Sequence, residues 1–184
     1  MPFIETGLQG LLIFQPAVFE DSRGYFFESY NLRTFSDAGI DSEFVQDNES
    51  LSGYGVIRGL HYQLKPHQQA KLIRVMSGAV LDVVVDIRKN SPTYGKVFSV
   101  ELSDQNKKQL YIPAGFAHGF SVQSERAAVL YKCDGYYNRE AEGGIRYDDP
   151  ELAIDWNIPV EKRVISDKDL ALPLMKDCKD NFEF

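Results

Sequence analysis

No apolar run in this 184-residue chain approaches the eighteen or so residues that a membrane-spanning helix requires. Met1-Pro2-Phe3-Ile4-Glu5 also lacks the basic-then-apolar layout of a signal peptide, so a cytoplasmic protein with no membrane partner is expected. There are two cysteines, Cys133 and Cys178, with neither metal-ligand spacing nor the density of a disulfide scaffold. Two free thiols in a reducing compartment are expected. Basic residues are outnumbered, 20 Lys and Arg against 27 Asp and Glu, and no cluster of them forms a stripe. A nucleic-acid backbone is therefore excluded as a partner, whereas a small anionic ligand is admitted if a few cations converge locally. No Ser/Gly/Pro-rich tract, linker or internal repeat divides the chain, which predicts one domain over residues 1–184.

What the chain does have is a rhythm of short β-rich segments. Leu11-Leu12-Ile13-Phe14, Ala17-Val18-Phe19 and Tyr25 to Tyr30 are apolar, poorly alternating runs broken by Gly10, Pro16 and Gly24. One short helix is predicted from Asn31 to Ala38, ended by Gly39. Beyond Gly55 the strands become regular: Lys71 to Met76, Ala79 to Arg88, Val97 to Leu102, Gln109 to Ile112, Gly119 to Gln123 and Ala127 to Lys132. Turn signals separate them, and such spacing predicts an all-β sandwich or barrel with few, peripheral helices. In Leu81 to Ile87 the odd positions are apolar while Asp82 and Asp86 share the other face, which is expected to look toward water or a polar cavity. The segment 148–184 changes character and is expected to pack on the barrel.

Chemistry concentrates in two segments. Gly55-Val56-Ile57-Arg58-Gly59-Leu60-His61 has the spacing G-x5-H, followed by Tyr62, Gln63 and then Lys71, and Pro113-Ala114-Gly115-Phe116-Ala117-His118 has the pattern P-x-G-x-x-H. They resemble the paired motifs of the cupin superfamily, jelly-roll barrels that hold a metal between the two. Here Gln63 takes the place of the second histidine, Lys71 that of the glutamate, and Val122 that of an asparagine. A protonated lysine has no lone pair to donate, so no metal is expected. What is left is a base-like histidine beside a cation, the pair that proton abstraction next to a carbonyl requires.

A closer resemblance runs in order from about Gly10 to Pro173. Arg23-Gly24-Tyr25-Phe26-Phe27-Glu28-Ser29-Tyr30, Phe44 to Asn48, Arg58 to Gln63, Lys71 to Val75, Asp86 to Gly95, Ile112 to Phe120 and Ser166-Asp167-Lys168-Asp169 resemble the dTDP-4-dehydrorhamnose 3,5-epimerases. The resemblance implies a cofactor-free, cupin-type jelly-roll epimerase acting on dTDP-4-dehydro-6-deoxy-D-glucose, and a homodimer formed by strand exchange in the N-terminal part. It implies His61 as general base, Asp169 as the partner that orients it, Tyr131 as general acid and Lys71 as the cation at the C4 oxygen. It assigns Arg23, Glu28, Gln46, Asn48, Arg58, His118, Glu142 and Lys168 to substrate contacts. Asp47 joins them, as does Tyr137, with Tyr136 the alternative for stacking on the thymine.

Other readings stay open for several of these residues. Asp169 lies three places after Ser166 and also fits the first turn of a helix. Tyr131 also fits a plain strand aromatic, and Asp82 suits either Lys71 or His118 as its partner. His67, after Pro66, is placed in a loop. The rival functions are epimerisation at C3 alone, a metal-dependent cupin, and a nucleotide-sugar binding module without catalysis.

Overall fold

In the computed structural model, which describes residues 2–179 and 182–184, short strands dominate. In chain order they are β1 (Phe3–Glu5), β2 (Leu12–Phe14), β3 (Phe19–Asp21), β4 (Gly24–Phe26), β5 (Gln46–Gly53), β6 (Ile57–Gln63), β7 (Lys71–Ser77), β8 (Ala79–Asp86), β9 (Val97–Ser103), β10 (Gln109–Ile112), β11 (Phe116–Val122), β12 (Arg126–Cys133) and β13 (Glu142–Gly144). Helices are α1 (Leu32–Ser36) and α2 (Asp167–Leu170) plus three single turns of 3-10 helix. None is long and apolar enough to cross a membrane.

Two antiparallel sheets face each other in the jelly-roll manner expected from the sequence. One has the order β1-β2-β10-β7-β12-β5, the other β13-β6-β11-β8-β9, and β3-β4 stands apart as a hairpin. Between the sheets Leu11, Ile73, Val75, Val80, Val84, Leu102, Leu110, Ile112, Phe120 and Val129 form the main core. The other face of the five-stranded sheet is covered by the C-terminal segment. Ile57, Leu60, Val83, Val85 and Ile87 pack there with Ile145, Leu152, Trp156, Met175 and Phe182. At about 25 cal/mol per Å² of apolar surface, each such large side chain contributes roughly 1.5–3 kcal/mol when fully buried. A smaller cluster around Phe14, Phe35 and Leu72 seats α1 on the back of the six-stranded sheet.

The expected strands from Lys71 to Lys132 match β7 to β12 within a few residues at their ends. The expected helix is α1, whose N-cap is Asn31: its side chain accepts the Arg33 and Thr34 N–H groups. Asp82 and Asp86 share one face as period two requires, but that face is the barrel interior, and neither carboxylate is exposed. Asp86 is satisfied there by Arg88, Ser91 and Thr93. No strand is expected from the sequence of β5, Gln-Asp-Asn-Glu-Ser-Leu-Ser-Gly, because its alternation is polar with polar. It forms because it pairs with β12 along its whole length, Gln46 opposite Cys133 through Gly53 opposite Arg126.

One close approach sets the geometry of the site. The pairing of β6 with β11 is irregular between the partners His61–His118 and Arg58–Phe120. In that gap Gly59 and Gly119 touch. A Cβ on Gly59 would lie 2.6 Å from Gly119 Cα and 2.7 Å from the His118 carbonyl oxygen, and Gly59 has φ +119°, a region that L side chains rarely adopt. Gly59→Ala is expected to cost about 3 kcal/mol or more, lowering the melting temperature by about 6–12 °C at roughly 2–4 °C per kcal/mol for a chain of this size. Gly53→Ala, whose new Cβ would meet nothing nearer than 3.9 Å, is the control and should melt with the parent. Calorimetry of the two variants checks this, and equal melting temperatures would refute the packing constraint.

Candidate active site

Period two on β5, β7 and β12 points a row of side chains inward from the six-stranded sheet, and β6 and β11 answer from the other. Two adjoining hollows lie between them. The outer one, about 280 Å³, is lined by Gln46, Asn48, Gln63, Gln69, Cys133, Tyr137 and Glu142 among others. The inner one, about 260 Å³, is lined by Ser50, Arg58, His118, Phe120, Ser166, Lys168 and Asp169. His61, Lys71 and Tyr131 line both, so they stand where the two hollows meet.

His61 enters from β6, and its Nε2 is 2.7 Å from Asp169 Oδ1 on α2, with the carboxylate almost sealed from solvent. Asp169 also accepts the Gly59 N–H, while its own N–H is capped by Ser166 Oγ. Both readings of Ser166-Asp167-Lys168-Asp169 are thus true at once: Ser166 caps a helix and Asp169 holds His61. Burial works to raise the Asp169 pKa, but the His61 hydrogen bond and charge, with the Gly59 N–H, outweigh it and hold the carboxyl below its usual range. Asp169 therefore stays ionised, the state in which it orients an imidazole and stabilises its protonated form.

Lys71, on β7, has its side chain in both hollows and forms no side-chain hydrogen bond with any described residue. Desolvation pushes its pKa down, opposed by Cys133, Asp82 and Glu142. A cation held without a fixed partner is costly in the free protein and available to a ligand oxygen. Tyr131, on β12, is shifted the other way: burial raises the phenol above its ordinary value, and the neighbouring Arg58 only partly offsets this. It remains a proton donor at neutral pH. Beneath the inner hollow His118 Nε2 lies 2.9 Å from the fully buried Asp82 carboxylate. Asp82 therefore partners His118 by hydrogen bond and reaches Lys71 through its charge alone.

Most of the expected contact residues converge here. Arg58 is aimed by its Nε donating to Ser52 Oγ, 3.0 Å away. Glu142 accepts from Lys168 Nζ at 2.6 Å and from the Tyr137 hydroxyl at 3.1 Å, which ties β13 to α2 across the outer rim. Gln46 donates to Asn48 Oδ1 and accepts the Tyr137 N–H. Three expected residues lie elsewhere in this chain. Arg23 sits on the β3–β4 hairpin with Asp21 as partner, Glu28 accepts from Asn31, and Asp47 pairs with Lys132.

Several lining residues were not assigned to the site from the sequence, although Gln63 stood out as an altered motif position. Gln63 accepts the Asn138 N–H at 2.6 Å and donates to the His67 carbonyl at 2.8 Å, and Gln69 donates to the Gly135 carbonyl at 2.6 Å. Ser50 and Ser52 follow Gln46 and Asn48 at period two on one strand face, a spacing that was available as a signal had β5 been recognised. Among the described residues no group of three or more His, Cys, Asp or Glu side chains converges as a metal site would need. Cys133 is buried and Cys178 half-buried, and no disulfide joins them.

Residues 5–177 match the family described as dTDP-4-dehydrorhamnose 3,5-epimerase. The enzyme of that name from Shigella flexneri is 52% identical over 171 residues, spanning 92% of this chain and 93% of its own length. The crystal structure of the Elizabethkingia anophelis epimerase superposes with a TM-score of 0.92 at 50% identity, over 95% of this chain and 96% of that one. The Legionella pneumophila structure, which contains dTDP-4-keto-L-rhamnose, gives 0.91 at 47% identity over 95% and 93%. This chain belongs to the dTDP-4-dehydrorhamnose 3,5-epimerase family.

Proposed function

We propose that this protein inverts C3 and C5 of dTDP-4-dehydro-6-deoxy-D-glucose, giving dTDP-4-dehydro-L-rhamnose, by proton transfer through an enolate. The observation that carries the mechanism is the placement of His61 and Tyr131 on opposite sheets with Lys71 beside them. A sugar ring lying between the sheets meets a base on one side and an acid on the other, as inversion demands.

The C4 ketone acidifies the C–H bonds at C3 and C5. His61, held by Asp169, takes the proton from one of these carbons; the electron pair moves into the carbonyl; and the oxyanion is met by the Lys71 ammonium. Tyr131 returns a proton to the opposite face. After the two groups re-equilibrate with solvent, the same cycle inverts the other carbon. Positioned proton transfer of this kind contributes about 10²–10⁴ in rate.

The remaining assignments follow the same reading. Arg58 and Lys168 serve the charged part of the substrate, Arg58 through a planar fork suited to phosphate oxygens. We place the protein in the cytoplasm, in keeping with two cysteines that have neither metal-ligand spacing nor the density of a disulfide scaffold. We also infer a homodimer through the β3–β4 hairpin, where Phe19 and Phe26 are 66% and 72% exposed. Exchange of this hairpin brings Arg23 and Glu28 to a partner's site. Sedimentation should give twice the chain mass, and Phe19→Ser/Phe26→Ser should shift it toward the monomer; a monomeric parent protein would end this assignment.

Incubation with the dTDP-4-keto sugar in deuterated water tests the reaction. Deuterium should enter at both C3 and C5, and His61→Asn should slow entry by about 10³-fold or more, a loss of roughly 4 kcal/mol of transition-state stabilisation. Exchange at C3 alone would assign the rival monoepimerase, and exchange at neither carbon would leave a binding module.

The pH profile tests Lys71 separately. Its pKa is depressed in the free enzyme, so the ammonium is present at low pH and lost as pH rises through that lowered value. The basic limb of kcat/KM, which reports the free enzyme, should fall below the ordinary lysine value of about 10.4. Tyr131, being raised, does not supply this limb. Lys71→Arg should retain weak activity and move the limb upward; a wild-type profile flat to pH 10.5 would contradict the assignment.

A further inference from the structure

Among the described residues one buried side-chain polar atom has no hydrogen-bond partner, and it is Ser50 Oγ. Leaving a hydroxyl buried and unsatisfied costs about 1–3 kcal/mol, and a position that bears this cost needs a reason. The place supplies one. Ser50 lines the inner hollow together with Arg58, His61, Lys71, His118 and Tyr131. Its neighbours at period two on the same strand face are already committed: Asn48 accepts from Gln46, and Ser52 accepts from Arg58. The backbone of Ser50 is fixed opposite Val129 by the pairing of β5 with β12, so the hydroxyl is free to move only by rotation about χ1, between staggered wells.

We propose that Ser50 is a substrate-contact residue whose hydroxyl hydrogen-bonds an oxygen of the sugar ring in the inner hollow. We place Ser50 at the sugar and not the nucleotide because its hollow holds, besides His61, Lys71 and Tyr131, the Asp169 that orients His61. The outer hollow carries the exposed Tyr137 at its rim, where a nucleotide has access from solvent. A neutral hydroxyl in the hollow that Arg58 and Lys71 also line adds a directional contact to their charge. This inference rests on the proposed sugar-nucleotide substrate.

The test uses Ser50→Ala and the nearly isosteric Ser50→Cys in the full-length protein. With the dTDP-4-keto-6-deoxy sugar, kcat/KM should fall by about 5- to 30-fold in both variants, equivalent to roughly 1–2 kcal/mol. The melting temperature of the free Ser50→Ala protein should stay level or rise, because an unsatisfied group has been removed. A hydroxyl with a merely structural role would lower it. Calorimetric titration gives a second readout: affinity for dTDP-glucose, which has no ketone to react, should weaken, while affinity for dTDP alone should change less than twofold. A kcat/KM within twofold of the parent, or a lowered melting temperature, would overturn the proposal. Equal weakening toward dTDP and dTDP-glucose would overturn it as well, by moving the contact to the nucleotide. The dTDP-glucose titration stands even if the parent protein exchanges no proton, so failure of the contact and failure of the epimerase reading give different results.

Discussion

The hydrogen bond between His61 and Asp169 spans 108 positions of sequence, and most of the C-terminal architecture serves to make it. α2 is four residues long, far below the length at which a helix is stable alone, so its position is imposed from outside. Ser166 caps it, the Gly59 N–H anchors its carboxylate, and just upstream Val164 accepts the Ile57 N–H and donates its own N–H to the Gly55 carbonyl. Beyond these, Trp156, Ile145 and Leu152 hold the segment against the outer face of the five-stranded sheet. The orientation of His61 is therefore only as good as the packing of a segment more than a hundred residues away in sequence.

The charges around the hollows are arranged by the same economy of positions. The chain is acidic overall, with a formal charge of −7, yet Arg58, Lys71, His118 and Lys168 all border the inner hollow. Carboxylates stand beside several of the basic side chains: Asp82 against His118, Asp169 against His61 and Glu142 against Lys168. Among these groups Lys71 forms no side-chain hydrogen bond with any described residue, which is the basis for proposing that it meets the developing oxyanion. An acidic protein accommodates an anionic ligand in this way without a basic surface.

How much of this could be read from residues alone varied with the locality of the signal. The strands from Lys71 to Lys132 were legible because turn residues punctuate apolar runs of strand length. His61, Lys71 and His118 were legible because their spacing within two short motifs is local. β5 was not, since its eight residues are nearly all polar and its strand character comes from pairing with β12. With it went Ser50 and Ser52. The double role of Asp169 was legible as two alternatives, cap or histidine partner, and only the tertiary structure shows that one residue in one conformation does both. The segment Asp86 to Gly95 had motif character without an evident task. In the fold it closes a turn on a buried carboxylate, where Asp86 takes Arg88, Ser91 and Thr93.

Gln63 shows how an altered motif acquires a different use. Read against a metal-binding pattern it is a missing histidine, and Lys71 is a missing glutamate. In the structure Lys71 brings positive charge to the meeting point of the two hollows, while the Gln63 amide accepts the Asn138 N–H and donates to the His67 and Tyr136 carbonyls, Gln69 donates to the Gly135 carbonyl and Gln46 accepts the Tyr137 N–H. The 134–138 segment brings Tyr137 to the outer hollow and, through its hydroxyl, steadies Glu142 against Lys168. Beside the shared His61, Lys71 and Tyr131, the outer hollow is thus walled by four side-chain amides, two more tyrosines, Cys133 and Glu142, and the inner one by Arg58, His118, Lys168, Asp169, Phe120 and the Ser50 and Ser166 hydroxyls. A ligand with a flat, weakly polar part and an oxygen-rich, electron-withdrawing part would find each matched by a different wall, with the proton-transfer groups at the boundary between them.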